Sequence, residues 1–354
     1  MMNRIEKILA HLNELKVEAI LVTKPENRFY VSKFTGSAGV VLLSGKGNVF
    51  ISDFRYKDQA QDEITNFEVV IHNGDIFQSI ANEIERLGIK SLAVEENAIT
   101  LNTYMELKSH TNIEIKPLKN VIEKTREIKE EVEIDKIKRA VHIADQAFTY
   151  ILDVLQPGLT EKEVKDELEL YMRRLGATSS SFNMIVASGK RSALPHGVAT
   201  NKVIEHGDMV TLDFGAVFEG YCSDITRTVG VGTVDKEFEK IYNIVLEALK
   251  RGTEGIKKGV PTSHIDDLTR NYIKDQGYGE YFGHSTGHGL GLEVHEPLRL
   301  SEKSEETLQS GMIVTIEPGI YIPGFGGCRI EDDILVTDEG YEILSKSSRE
   351  LVIL

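Results

Sequence analysis

The sequence has few cysteines and no long apolar run, and each scarcity argues against a class of protein. Only Cys222 and Cys328 occur among 354 residues, so a disulfide framework is disfavoured and we expect a reducing compartment, the cytoplasm. There is no run of 18 apolar residues, and we therefore expect no membrane span. The first twenty residues form an amphipathic helical pattern with interspersed charges and lack the apolar core of a signal peptide.

Basic residues are also in deficit. The chain has 41 Lys and Arg against 56 Asp and Glu, a formal net charge of −15. This balance disfavours a nucleic acid or an anionic membrane as partner. Hydrophobic residues make up 41% and charged residues 27%, as in ordinary globular proteins, and a length of 354 residues indicates about two domains.

Residues 1–122 alternate short β-rich runs with helical patterns, which predicts a self-contained α/β domain. Helical periodicity precedes the first run and recurs near 76–87 and 102–109. The predicted strands cover residues 19–23, 40–44, 48–52, 67–72, 91–96 and 113–118.

Residues 123–354 predict a second domain of the α+β class. A charged stretch with apolar residues at three- and four-residue spacing predicts one helix over 123–156. Thr160 and Glu163 form a capping-box signature for the next helix, to about residue 175. Further helices are predicted near 236–251 and 262–275, between glycine-rich strand segments.

Five residues of this second domain can together hold metal ions. Four carboxylates and one imidazole supply the oxygen and nitrogen ligands that suit Mn²⁺, Co²⁺ or Zn²⁺. Four negative charges would balance two divalent cations, which indicates metal-assisted hydrolysis. The five candidates are Asp213 in VTLDFG, Asp224 in YCSDITR, His288 in HSTGHGLGLEVHE, Glu317 in TIEPG and Glu331 in RIEDD.

The two aspartates lie on strand-like runs joined by AVFEG, which predicts a hairpin. A turn centred between Phe218 and Glu219 would set Asp213 directly opposite Asp224, although a bulge at Gly220 would shift that register. Carboxylates held so close repel one another unless cations lie between them. The alternative is a pair of exposed aspartates beside a turn, which the apolar neighbours of Asp213 disfavour.

Three histidines fall within twelve positions of the glycine-rich segment 282–296. The glycines weaken any helix there, so the segment is not a helical HExxH zinc motif. Glycine beside His284 and His288 indicates backbone packed close to a ligand or metal. His196 in LPHG adds to this concentration, and the alternative is a loop of surface histidines.

Glu317 follows the apolar run MIVTI, and Glu331 follows Arg329. A carboxylate at the end of a buried strand requires a partner, because an unpaired buried charge is costly. A metal or Arg329 can serve as that partner. Of the acidic trio 331–333, we expect one or two members to be solvated.

Taken in order, LPHG, LDFG…CSDITRT, GHSTGHGLGLEVHE, TIEPGIY and GCRIEDD resemble the pita-bread metallopeptidases, the family of methionine aminopeptidase, aminopeptidase P and prolidase. The resemblance covers about residues 125–354. FTGSAGVVLLS followed by ISDFRY is similar to the creatinase-like N-terminal domain of the Xaa-Pro branch. The resemblance implies a C-terminal pita-bread fold and a smaller N-terminal creatinase-like α/β domain. It also implies two divalent ions, with Mn²⁺ the family expectation and Co²⁺ or Zn²⁺ as alternatives.

The resemblance also implies roles. Asp213 would hold one ion, Asp224 and Glu331 both, and His288 with Glu317 the other. Glu317 would shuttle protons, His295 would stabilise the oxyanion and His196 would orient the scissile amide. The residues implied to bind or support substrate are His196, His284, His295, Arg55, Arg299, Tyr321 and Arg329.

The activity so implied is exopeptidase cleavage between an N-terminal residue and proline, in Xaa-Pro dipeptides or longer peptides. Arg299 lies where prolidases carry an arginine for the dipeptide carboxylate, whereas the DFRY motif with Arg55 favours aminopeptidase P. A homodimer is the family expectation. The alternatives are a non-catalytic peptide-binding module and a metal-independent creatinase-like hydrolase on the same fold.

Overall fold

The computed structural model describes residues 3–354, and these divide into two compact units. The first unit ends at Arg126, and the second comprises Glu127–Leu354. Among the described residues, no helix has both the length and the apolar character that crossing a membrane requires.

The first unit is a six-stranded mixed sheet with helices between its strands. Its strands lie in the order β4-β3-β2-β1-β5-β6, and β1 is buried throughout because helices cover the sheet. All six predicted strands are confirmed within two residues. The elements are α1 Arg4–Glu14, β1 Ala19–Val22, α2 Pro25–Ser32, β2 Val40–Ser44, β3 Gly47–Asp53, α3 Lys57–Glu63, β4 Glu68–His72, α4 Ile76–Arg86, β5 Ser91–Glu95, α5 Leu101–His110, β6 Glu114–Leu118 and α6 Glu123–Arg126.

The second unit combines two helix pairs with small antiparallel sheets. One apolar core lies under α7 and α8 and another under α9 and α10. The elements are α7 Glu131–Val154, α8 Glu161–Arg174, β7 Ser179–Ser180, β8 Ile185–Ser188, β9 Met209–Phe214, β10 Ala216–Phe218, β11 Tyr221–Cys222, β12 Ile225–Gly230, α9 Lys236–Glu254, α10 Thr262–Asp275, β13 Gly287–Gly289, β14 Glu296–Leu300, β15 Ile313–Ile316, β16 Gly319–Ile322, β17 Gly326–Arg329, β18 Asp332–Val336 and β19 Tyr341–Ile343.

Two sheets of this unit carry the candidate metal ligands. The three-stranded sheet has the order β12-β9-β8, and the five-stranded sheet has the order β14-β13-β15-β18-β19. Asp213 is on β9 in the first sheet, and His288 is on β13 in the second. Glu317 directly follows β15, and Glu331 directly precedes β18.

The predicted single helix over 123–156 is wrong at its start. The stretch contains the short α6 and then, after a break, α7. The reason is local, since Glu130 and Glu133 form a capping box that begins a new helix at Glu131. The capping box between Thr160 and Glu163 is confirmed.

The register of the predicted hairpin is also wrong. β9 and β12 pair antiparallel with Asp213 opposite Thr226, not opposite Asp224. The turn is centred between Glu219 and Gly220, and both have positive φ (47° and 87°), as a two-residue type I′ turn requires. Asp224 precedes Thr226 by two residues, so it lies on the same side of the hairpin as Asp213.

Candidate metal centre

The five predicted ligand residues converge within the second unit. One group, in which ligand atoms lie within 4.8 Å of one another, comprises Asp213, Asp224 and Glu331. A second such group comprises His288, Glu317 and Glu331. A third group comprises Asp224, His288 and His295. Because the groups share Asp224, His288 and Glu331, they form one connected cluster.

The backbone around these residues is held by hydrogen bonds within and between the two sheets. The amide of Glu331 donates to the carbonyl of Thr226 at 3.1 Å, which joins the acidic segment to β12. The amide of Glu317 donates to Thr286 at 2.7 Å, and the amide of His288 donates to Oγ1 of Thr315 at 3.1 Å. The ligand positions are therefore fixed by paired main chain.

His288 is buried and presents one ring nitrogen to the carboxylates. Its Nδ1 lies 3.1 Å from the carbonyl oxygen of Gly289, so Nδ1 carries the proton and Nε2 the lone pair. Nε2 lies 3.4 Å from Oε1 of Glu317 and 3.6 Å from Oδ2 of Asp224. Burial, together with the neighbouring His295, lowers the pKa of His288 to about 3, which keeps the ring neutral and able to bind a cation.

The carboxylates repel one another in this buried setting. Burial raises the pKa of Asp224 well above its ordinary value, and the charges of Glu331 and Asp213 raise it further. Burial likewise raises the pKa of Glu331, and it raises that of Glu317 to about 7 although Arg329 opposes the shift. Cations among these groups would relieve the repulsion.

Three carboxylate oxygens of the cluster are buried without a hydrogen-bond partner among the described residues. They are Oδ1 of Asp213, Oδ1 of Asp224 and Oε1 of Glu331. Two of the companion oxygens are engaged, since Arg329 pairs with Oδ2 of Asp213 and Thr226 donates to Oε2 of Glu331 at 2.6 Å. Buried acceptors left in this way fit divalent cations, and oxygen donors of this kind suit them.

A cavity of about 570 Å³ opens onto the cluster. It brings together ten of the twelve predicted site residues. Besides the five candidate ligands, these are His196, His284, His295, Arg299 and Arg329. The cavity is also lined by residues that the sequence analysis did not select, namely Phe182, Asn183, Ile185, Pro195, Val198 and Ser285.

Tyr321 does not line the cavity but links two residues that do. Arg329 donates to the Tyr321 hydroxyl at 2.6 Å, and that hydroxyl lies 2.8 Å from Nε2 of His284. Nδ1 of His284 lies 2.8 Å from the carbonyl of Ser285, so Nδ1 is the donor there and Nε2 accepts from Tyr321. Burial, then the charge of Arg329, lowers the pKa of His284 to about 4.

Arg55 belongs to the first unit. Its Nε and one terminal nitrogen each donate to Asp53, at 2.8 Å, and its guanidinium lies 5.4 Å from the ring centre of Tyr56. Its predicted contact with substrate stays a prediction.

The expectation that some of the trio 331–333 are solvated is wrong. Asp332 and Asp333 are fully buried like Glu331. Asp332 pairs with Arg227 and Arg349, and Asp333 accepts a hydrogen bond from the amide of Asp224 at 3.0 Å.

Two glycines of the histidine segment pack closely against other parts of the protein. A Cβ on Gly287 would lie 1.9 Å from the carbonyl oxygen of Thr315 on β15. A Cβ on Gly291 would meet the carboxylate of Glu296 at 2.4 Å. Gly287 and Gly291 therefore allow close approach of neighbouring elements. The expected contact of this glycine-rich backbone with a ligand or metal stays a prediction.

A buried cluster of four carboxylates and a neutral imidazole at the base of a cavity defines the class of metal-dependent hydrolases. Comparison with known families gives the particular family. Residues 135–338 match metallopeptidase family M24, and residues 4–128 match the creatinase/prolidase N-terminal domain. The chain belongs to metallopeptidase family M24, and the predicted family and fold class are confirmed.

Individual relatives span the whole chain. An Xaa-Pro dipeptidase of Pyrococcus horikoshii is 41% identical, with 99% of each sequence covered. The solved structure of an Xaa-Pro dipeptidase from Bacillus anthracis is 53% identical and superposes with a TM-score of 0.98, covering 99% of both chains. An X-Pro aminopeptidase from Thermotoga maritima is 39% identical with a TM-score of 0.91, covering 98% of this chain and 100% of the other.

Proposed function

We propose that this protein is an exopeptidase that hydrolyses the bond between an N-terminal residue and a following proline. The observation that carries the proposal is the convergence of Asp213, Asp224, His288, Glu317 and Glu331 at the base of one cavity. The relatives named as Xaa-Pro dipeptidase and X-Pro aminopeptidase support the same substrate class.

The centre would hold two divalent cations, Mn²⁺ first among them, with Co²⁺ or Zn²⁺ as alternatives. The four carboxylates support this number, because their negative charges would balance two divalent cations. Asp213 would serve one ion, His288 with Glu317 the other, and Asp224 with Glu331 both. When bound, the ions would supply Lewis-acid activation of a water molecule and stabilise negative charge.

Protein side chains would handle the proton and the oxyanion. Glu317 lies at the cavity with its pKa raised to about 7 by burial, a value suited to taking and returning a proton near neutral pH. His295 is exposed to the cavity beside His288, with ring centres 4.3 Å apart, and would donate to the developing oxyanion. His196 would orient the scissile amide from the opposite loop.

Cleavage before proline requires a specialised peptidase, because an Xaa-Pro amide has no N–H and proline has a fixed φ. A peptidase that grips that N–H loses its hold on the substrate. Recognition must then rest on the ring and on the free amine at the other side of the bond. The apolar side chains of Phe182, Ile185 and Val198 with His284 provide walls for such groups, and buried carboxylates can attract the amine.

Two forms of this activity differ in how they treat the far side of proline. A dipeptidase requires a cation for the proline carboxylate, and Arg299 lines the cavity. An aminopeptidase P leaves that side open, and the DFRY motif with Arg55 resembles that form. We propose the dipeptidase form first, because two of the three relatives described above carry that name. The proposal extends to a cytoplasmic homodimer.

The test is hydrolysis of Ala-Pro against Ala-Pro-Ala by metal-free protein, with Mn²⁺, Co²⁺ and Zn²⁺ supplied separately. Metal-dependent release of alanine supports the proposal, and preference for Ala-Pro supports the dipeptidase form. Metal analysis of the loaded protein separates the alternatives. Turnover without bound metal would indicate a creatinase-like hydrolase, and bound metal without turnover of either peptide would indicate a binding module.

A further inference from the structure

Three cavity histidines that are not among the five candidate ligands lie on irregular segments of the second unit. His196 and His295 are exposed, His284 is half-buried, and none is part of a helix or strand. In each segment, main-chain amides donate hydrogen bonds to one buried carboxylate, which also pairs with one Lys or Arg side chain. We propose that Glu161, Asp266 and Glu296 are positioning residues, each of which fixes one histidine of the active site. This inference rests on the proposed function for the roles of the histidines.

Glu161 holds the segment that carries His196. Its side chain is fully buried at the start of α8. One oxygen accepts from the amide and hydroxyl of Ser188, at 2.8 and 2.9 Å. The other accepts from the amide and hydroxyl of Thr200, at 3.0 and 2.7 Å, and from Arg191. Ser188 and Thr200 flank His196, so one carboxylate closes both ends of its loop.

Asp266 does the same for the segment that carries His284. It is fully buried on α10 and accepts two hydrogen bonds from Arg270, at 2.6 and 2.8 Å. It also accepts from the amide and hydroxyl of Thr286, at 3.2 and 2.8 Å. Arg270 in turn donates to the carbonyls of Phe282 and His284, at 3.0 and 2.7 Å. The acid–base pair therefore grips the main chain on both sides of the imidazole.

Glu296 holds the turn that ends in His295. It is buried, and its Oε2 accepts from Nζ of Lys129 at 3.0 Å in an ion pair whose side chains are 3% and 2% exposed. Its Oε1 accepts from the amide of Leu292 at 3.2 Å, which closes the turn across His295. Gly291 has no side chain, and a Cβ there would collide with this carboxylate. The turn is thus built around Glu296.

The three arrangements share one physical logic. A loop histidine can donate or accept at a defined point only when its main chain is fixed, because misplacement weakens catalysis steeply. Charge-assisted hydrogen bonds to several backbone groups fix it more firmly than packing alone would. None of the three carboxylates lines the cavity among the described residues, so they act through the histidines and not on the substrate.

The test uses the near-isosteric variants Glu161→Gln, Asp266→Asn and Glu296→Gln, each combined with alanine at each of the three histidines. We expect each carboxylate variant alone to lower kcat/KM by about 10–100-fold, as loss of an orienting partner does. Combined with its own histidine variant, it should cost little more than the histidine variant alone. Combined with either other histidine variant, the losses should multiply.

The second readout does not depend on activity. In protein labelled at histidine, Asp266→Asn should shift the ring resonance of His284 and leave those of His196 and His295 unchanged, with the corresponding pattern for the other two carboxylates. Wild-type protein without peptidase activity would refute the proposed function, whereas this spectral pattern would still test the positioning role. The positioning role would be overturned if the losses multiplied when a carboxylate variant is combined with its own histidine variant. A shift of all three ring resonances in one carboxylate variant would also overturn it.

A matched control lies on α9. Glu247 pairs with Arg251 at 2.9 Å with the same four-residue spacing as Asp266 and Arg270, but both side chains are exposed. Glu247→Gln should leave kinetics and ring resonances unchanged. If a carboxylate variant fails to fold, the cation side gives the second route through Arg191→Lys, Arg270→Lys or Lys129→Arg, with the same matched pattern expected.

Discussion

Nε2 of His288 lies 3.4 Å from Oε1 of Glu317, while Nδ1 of the same ring donates to the carbonyl of Gly289. The proton is thereby committed to the backbone, and the lone pair faces a carboxylate. When Glu317 is ionised, no proton lies between these two electron-rich atoms, and they repel each other. The two atoms are suited to bind one cation together, because a positive ion between them turns that repulsion into attraction.

Asp224→Asn should abolish metal-dependent turnover without unfolding the protein. Asp224 lies in a cluster of carboxyl groups, and burial with the repulsion of its neighbours raises its pKa well above the ordinary value, so its ionised form is costly in the metal-free protein. Removing one charge at nearly constant shape therefore relieves the metal-free protein. We expect its melting temperature without metal to equal or exceed that of the wild type, as thermal unfolding would show.

Metal content measured beside turnover completes this test, with Asp338→Asn as a control at an exposed acidic residue that pairs with Lys258. The control should retain both metal and activity. Retained turnover in Asp224→Asn would contradict the assignment of Asp224 as a ligand.

His295→Ala should reduce kcat while the bound metal stays near the wild-type amount. An oxyanion donor contributes about 2.7–4 kcal/mol to the transition state, which corresponds to roughly 10²–10³ in kcat. Steady-state kinetics and metal analysis on the same samples provide the measurement. His295 also forms a group with Asp224 and His288 within 4.8 Å. Loss of metal from this variant would therefore assign His295 to the metal set instead.

Much of the fold could be predicted from sequence because its signals are local. The strands of the first unit are short β-branched runs between turn residues, and the capping box at Thr160 marks the start of the next helix. The hairpin register was wrong because it depends on where two residues adopt positive φ. Glu219 does so beside Gly220, although a glutamate carries no sequence signal for that conformation.

The convergence of the five candidate ligands could be predicted from sequence, because buried carboxylates are costly unless they have a partner. The supporting residues could not be predicted, since their role arises only from packing. The acidic trio predicts surface charges, yet Asp332 is buried against Arg227. Phe182 and Asn183 line the cavity without any motif that marks them. Glu161 and Asp266 lie in helices with many charged residues, and no sequence motif distinguishes them.

Arg227→Met should destabilise the protein strongly. The guanidinium is 1% exposed and pairs with Asp332, and it also donates to the carbonyls of Glu331, Ser347 and Ser348. Removing one partner of a buried ion pair costs about 3–5 kcal/mol, because the remaining charge stays buried. Urea unfolding measures this loss, and Arg251→Met on an exposed helical pair is the control. A loss below that of the control would show that Arg349 alone suffices for Asp332.

Arg299→Ala should impair cleavage of Ala-Pro more than cleavage of Ala-Pro-Ala. The side chain lines the cavity, and its guanidinium donates to the carbonyls of Glu296 and Leu298, which hold it at the rim. A hydrogen bond to a charged group contributes about 1.5–3 kcal/mol, so the loss of kcat/KM on the dipeptide should be about 10-fold or greater. The tripeptide places its carboxylate one residue further on and should lose less. Equal losses on both substrates would show that Arg299 does not read the proline carboxylate, and the dipeptidase preference would then need another cation.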